Sequence, residues 1–121
     1  MPINKIMIVD DSATDRFYLN EMLTRNGFIV SQAETGEEAL ARVKVELPDL
    51  VIMDVIMPGL NGFQTTRALT KAPETAHIPV IMCTGKEQLT DRVWALRQGA
   101  KECVIKPVEE ADLLAKIAAL G

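Results

Sequence analysis

Cysteine is scarce in this chain: Cys83 and Cys103 are the only two, too few for the disulfide framework of a small secreted domain and without CxxC spacing. They read as free thiols in a reducing compartment, small buried hydrophobes on neighbouring strands but near opposite strand ends. Histidine is scarcer still. His77 stands alone before Pro79, with no second ligand at helical or loop spacing, and reads as a surface residue. A basic excess is also missing: 13 Lys and Arg against 17 Asp and Glu give a formal charge of -4, so neither nucleic acid nor an anionic membrane is an expected partner. Long apolar runs are absent. Met1 to Val9 holds Lys5 and then only Ile6 to Val9, far short of a signal peptide or a membrane span, and the chain reads as cytoplasmic. With no GxxxxGK[ST] and no GxGxxG, nucleotide binding of those kinds has no support.

What is present suits one α/β domain. The 121 residues, 48% of them hydrophobic, match one core, and the working division is a single domain over 1–121. Short runs rich in Val and Ile recur at Ile6 to Val9, Phe28 to Val30, Leu50 to Met53, Val80 to Cys83 and Cys103 to Ile105. They alternate little with polar residues, as strands of a parallel sheet covered on both faces require. Helical spacing lies between them: Leu19, Met22 and Leu23; then Leu40, Val43 and Leu47; finally Leu113, Ile117 and Leu120. Asn26-Gly27 closes the first helix, Thr35 caps the second ahead of Glu37 and Glu38, and Gly99 ends one that begins near Thr90. Regular alternation with right-handed crossovers predicts an open, doubly wound parallel sheet.

In such sheets ligands gather beyond the carboxyl ends of the strands. Those ends carry Asp10 and Asp11 after the first strand, Asp54 after the third, Thr84 after the fourth and Lys106 after the fifth. Taken singly, each has a plainer role. Asp10-Asp11 could cap the first helix, Asp54 could be a loop residue, Thr84 could cap the next turn, and Lys106-Pro107 could be an ordinary turn, with or without a cis peptide. Their joint placement at successive strand ends favours chemistry. Three close carboxylates repel one another and call for a cation, and magnesium accepts one or two carboxylates while leaving room for water and a phosphate oxygen. An Asp54 with an ordinary pKa near ~3.9 is ionised at neutral pH and could attack phosphorus without a general base. Lys106 and Thr84 would then meet the phosphoryl oxygens.

Val9-Asp10-Asp11-Ser12, Met53-Asp54-Val55-Ile56-Met57-Pro58-Gly59-Leu60-Asn61-Gly62, Thr84-Gly85 and Ile105-Lys106-Pro107 together resemble the response-regulator receiver domains, over essentially the whole chain. The resemblance implies a five-stranded sheet of order 2-1-3-4-5 flanked by five helices, flavodoxin-like and CheY-like. It implies Asp54 as phosphoacceptor, with Thr84 and Lys106 contacting the phosphoryl group. Asp10, Asp11, Asp54 and the backbone carbonyl of Ile56 would be the Mg2+ ligands. The implied partners are a sensor histidine kinase or phosphotransfer domain and a downstream protein bound on the face of helix 4, strand 5 and helix 5, with the chain itself a monomer and not a turnover enzyme. Finer features, Asn61-Gly62-Phe63-Gln64 with Thr66-Arg67 and Thr90-Asp91-Arg92-Val93-Trp94 leading into Arg97-Gln98-Gly99-Ala100, are similar to stand-alone regulators of type IV pilus twitching and chemotaxis-like motility.

One position departs from that pattern. Most receivers carry an aromatic residue three positions before the lysine, and here it is Cys103. Output could instead pass through Lys86, Trp94 or Arg97, or the chain could act as a phosphate sink without a switched surface. Lys86 and Ile56 occupy positions that influence the access of hydrolytic water in the family. An aspartyl-nucleophile phosphatase of the haloacid-dehalogenase kind fits less well, because Asp54-Val55-Ile56 lacks the second acid.

Overall fold

Runs of Val, Ile, Leu and Met form the strands, and the alternation of side chains along them divides the core into two layers. The computed structural model describes residues 2–85 and 91–121. In chain order these form β1 (Lys5–Val9), α1 (Ala13–Arg25), β2 (Ile29–Ala33), α2 (Gly36–Glu46), β3 (Leu50–Asp54), α3 (Gly62–Lys71), β4 (Val80–Thr84), α4 (Asp91–Arg97), β5 (Glu102–Ile105) and α5 (Glu110–Leu120). The strands are all parallel, in the order β2-β1-β3-β4-β5. This is the doubly wound arrangement expected from the sequence.

Met7, Val9, Val51, Met53, Val80 and Met82 face a layer that takes Ala39 and Val43 from α2, Leu69 from α3 and Ala95 from α4. Ile6, Ile8, Leu50, Ile52 and Ile81 face the opposite way, against Leu19 and Leu23 of α1 and Leu113 and Ile117 of α5. Burial on both faces explains why β3 and β4 have no exposed residue. Among the described residues no helix is long and apolar enough to cross a membrane.

Four strands run one residue longer than the sequence expectation, so that Asp54 and Thr84 end β3 and β4 rather than follow them, and two further boundaries differ for a physical reason. The second strand is Ile29–Ala33 rather than Phe28 to Val30, because β1 pairs with it from Lys5↔Ile29 to Val9↔Ala33 and draws polar Ser31 and Gln32 into the ladder. An edge strand needs only partial cover, and this one has it. Phe28 belongs to the preceding turn, where its N–H donates to the Leu23 carbonyl at 3.1 Å. Leu47, read as a helix residue, ends α2 instead with φ of 49° and stays exposed. Pro48 is the reason, since the residue before a proline is driven out of the helical region.

The cysteines also need correction. Cys103 pairs with Met82 and Val104 with Cys83, so the two thiols sit one register apart and not near opposite ends. They point to opposite faces of the sheet, Cys103 into the layer of α2 to α4 and Cys83 into that of α1 and α5, and no disulfide joins them.

The edge strand β2 is guarded by α2. The Arg42 guanidinium donates to the Gln32 carbonyl and pairs with Glu38 at 3.0 Å and Glu46 at 2.7 Å. On the central strand, Gly62 opens α3 against the backbone of Asp54. A Cβ there would lie 2.0 Å from the Asp54 carbonyl oxygen and 2.8 Å from Met82 Cε. Gly62→Ala is expected to lower unfolding free energy by about 1–3 kcal/mol through overpacking. Urea denaturation measures it, and an unchanged midpoint would refute the close approach.

Candidate functional site

The register Val9↔Met53 brings β1 and β3 to the same level, so Asp10 and Asp54 emerge side by side at the switch point of the sheet. Asp10 is 2% and Asp54 8% exposed. Asp11 is exposed, yet one ligand oxygen each from Asp10, Asp11 and Asp54 lie within 4.8 Å of one another. Ser12, and not the acidic pair, caps α1 by accepting from the Asp15 N–H at 3.2 Å. The Ser12 N–H in turn donates to Asp10 Oδ1 at 2.9 Å, and the Arg16 side chain donates to the Asp10 carbonyl at 2.7 Å. The plainer role for Asp10-Asp11 as a helix cap is therefore taken by another residue.

From the other side, Thr84 ends β4 opposite Ile105, and the Lys106 N–H donates to the Thr84 carbonyl at 2.7 Å. Thr84 is buried. The Lys106–Pro107 peptide bond is cis. Lys106 Nζ then reaches Asp10 Oδ2 at 2.9 Å, Asp54 Oδ1 at 2.9 Å and Asp15 Oδ2 at 2.8 Å. Burial alone would lower the lysine pKa, but hydrogen bonds to Asp15, Asp54 and Asp10 outweigh it and move the group upward. It is a permanent cation.

Asp54 departs from the ordinary carboxylate assumed from sequence. Its pKa is raised to about 6, first because burial disfavours the charged form; the Lys106 hydrogen bond opposes this, and the Asp10 and Asp11 charges add to it. The group is still mostly ionised at neutral pH. Cys83, sealed beneath the site, has its thiol pushed far up by burial and takes no part.

Of the remaining expectations, Ile56 stands two residues beyond Asp54 with its side chain 72% exposed, and His77 is a surface residue. Trp94 is 51% exposed, with the Arg97 guanidinium 5.5 Å from its ring centroid. Lys86 and Thr90 lie outside the described residues. Cys103 is buried at the floor of a groove of about 680 Å³ that runs from Thr84 and Lys106, past Ile105, to Arg92 and Lys116. The residue that sequence reasoning missed is Asp15. The signal was present, because an acid in the first turn of a helix that begins just after Asp11 falls one turn above the acidic pair.

Chemically, three carboxylates at one point form a hard oxygen donor set of the kind a small divalent cation takes, next to a fixed ammonium. The donor set, two buried carboxylates and an exposed one, fits Mg2+.

Residues 6–118 match the family described as response regulator receiver domain, and the chain belongs to that family. Members are signalling modules of two-component pathways. Among curated relatives, Protein PilH of Pseudomonas aeruginosa is 52% identical over 116 residues, covering 96% of each chain. Response regulator PleD of Caulobacter vibrioides is 37% identical over 96% of this chain but only 26% of its own length. Among solved structures, the chemotaxis protein CheY4 of Vibrio cholerae superposes with a TM-score of 0.90 at 28% identity, covering 98% of this chain and 99% of that one. A response regulator receiver domain protein from Clostridium thermocellum gives 0.89 at 32% identity, covering 98% and 94%.

The raised pKa of Asp54 has a signed consequence. Its folded value lies above the unfolded one, so the group's favourable contribution is complete below about pH 4 and is lost as pH rises through about 6. In chelator-treated protein, Asp54→Asn should therefore raise stability by on the order of 1–3 kcal/mol at pH 8 and by little at pH 4. Thermal melts across that range test it, and a gain independent of pH would refute it.

Proposed function

We propose that the chain is a single-domain response regulator, one receiver unit over 1–121, that takes a phosphoryl group on Asp54 from a sensor histidine kinase or phosphotransfer domain. The observation that carries this reading is the convergence on Lys106, whose ammonium touches both Asp10 and Asp54 at 2.9 Å. Asp10, Asp11, Asp54 and the Ile56 carbonyl would hold Mg2+, which when bound neutralises charge between nucleophile and phosphoryl oxygens. A carboxylate oxygen of Asp54 forms the new bond to phosphorus as the phosphorus–nitrogen bond of the donor phosphohistidine breaks, and the imidazole departs with the electron pair. Lys106 meets one phosphoryl oxygen with its ammonium, and the Thr84 hydroxyl donates to another. Hydrolysis of the aspartyl phosphate resets the site, so the chain works as a switch and not by turnover of small substrates.

The relative PilH, 96% of whose length this chain spans, supports a regulator built of one receiver unit, and together with the motifs in the sequence it favours a pilus-related pathway, which we read as motility in the cytoplasm. Output is then a protein docked on α4, β5 and α5. With acetyl phosphate and MgCl2, one acid-stable, base-labile phosphate per chain is expected. Asp54→Asn should abolish it and EDTA should suppress it. Full incorporation in the variant would sink the assignment.

Cys103 in the groove favours weighing a second reading, a phosphate sink with no switched face. Amide exchange of α4 and β5 with beryllofluoride separates the two. Altered protection on that face supports switching, and an unchanged pattern supports the sink.

A further inference from the structure

Lys106 has three ammonium protons and three carboxylates around it, and these partners differ in what else they must do. On the function proposed above, on which the present inference rests, Asp10 is shared with the cation and Asp54 becomes esterified. Asp15 is claimed by neither. It lies outside the acidic cluster, on the first turn of α1, with its Oδ2 at 2.8 Å from Lys106 Nζ.

Its backbone is well fixed. The Asp15 N–H donates to Ser12 Oγ, and the Ser12 N–H donates to Asp10 Oδ1, so one helix start sets the positions of both Asp10 and Asp15. Farther along α1, the Tyr18 hydroxyl donates to the Val108 carbonyl at 2.7 Å, which holds α1 against the segment that follows Lys106. Lys106 itself is pinned at its N–H by Thr84. Both ends of the Asp15–Lys106 pair are therefore anchored, and only the flexible lysine stem lies between.

The geometry assigns Asp15 as a positioning residue that holds the Lys106 ammonium against Asp54 while Asp10 and Asp54 change partners. Two effects of opposite sign meet in Asp15. Its negative charge repels an incoming phosphoryl group, whereas its hydrogen bond keeps the ammonium where that group arrives. The side chain is 43% exposed, so water and salt screen the repulsion. The bond to Lys106, whose side chain is only 25% exposed, is direct and charge-assisted. The grip outweighs the repulsion.

Beryllofluoride titrated into the full chain at saturating MgCl2, followed by amide NMR, reads the sign. Asp15→Asn should bind it roughly three- to tenfold more weakly, and Asp15→Glu, which keeps the charge with a longer reach, should recover most of the loss. In a Lys106→Met background, Asp15→Asn should have no further effect. Equal or tighter beryllofluoride binding by Asp15→Asn overturns the assignment, because loss of charge alone predicts that result. A loss undiminished in the Lys106→Met background overturns it as well. A second readout needs no beryllofluoride: the Lys106 ammonium protons should exchange slowly with water in the unsubstituted chain and rapidly in Asp15→Asn. Equal exchange rates would overturn the positioning role, whereas an unsubstituted chain that binds no beryllofluoride would refute the proposed function and leave this readout to decide Asp15.

Discussion

Much of this fold exists to place a single ammonium among carboxylates. Asp10 and Asp54 are almost fully buried, and two such charges side by side would be strongly unfavourable without a counter-charge in contact with both. Lys106 supplies it from β5, two strands from β3 and three from β1. Adjacent strands lie about 4.8 Å apart, so roughly 10 Å separates the β5 and β3 backbones, and the lysine stem, the 2.9 Å ion pair and the Asp54 side chain close that gap together. A long, straight, cationic side chain leaving the last residue after β5 is one of few ways to span that gap. The observed order, with β5 on the same side of β3 as β4, keeps the lysine within reach of both carboxylates.

The rest of the molecule serves that placement in layers. Alternation along β1 and β3 sends Met7, Val9, Val51 and Met53 to one helical layer and Ile6, Ile8, Leu50 and Ile52 to the other, which locks the register at one-residue precision. With the register fixed, Asp10 and Asp54 can only emerge together. Gly62 lets α3 begin directly against the Asp54 backbone, and Ser12 begins α1 directly after the acidic pair. The site is held by the backbone on both sides, and the Lys106 ammonium is held by three carboxylates.

The sheet was legible because period and composition agree: strands buried on both faces leave unbroken apolar runs, and caps such as Thr35 and Asn26-Gly27 mark where helices begin and end. The site was legible because strand ends are predictable places. What escaped reading depends on three-dimensional neighbours. The polar half of β2 is recruited by pairing with β1, and no local signal in Ser31-Gln32 announces it. The ordinary pKa assumed for Asp54 failed because burial is a property of the assembled site. Asp15 was not singled out: its place one turn above the acidic pair is visible in the sequence, but the fold is what brings a lysine 91 positions away beside it. The relation between the cysteines came out wrong for the same reason: facing depends on register, and register cannot be counted from strand ends in sequence.

The guarded edge at β2 has a bearing on how such a chain behaves in a crowded cell. Parallel sheets end in a strand whose outward carbonyls and amides invite another polypeptide to continue the ladder. Here Arg42 already occupies the outward Gln32 carbonyl, and it is itself clamped by Glu38 and Glu46. A second molecule seeking to extend the sheet would have to displace a doubly paired guanidinium before forming its first bond. That raises the barrier to runaway polymerisation along the β2 edge, so the chain can stay dispersed without any charge placed in the strand itself.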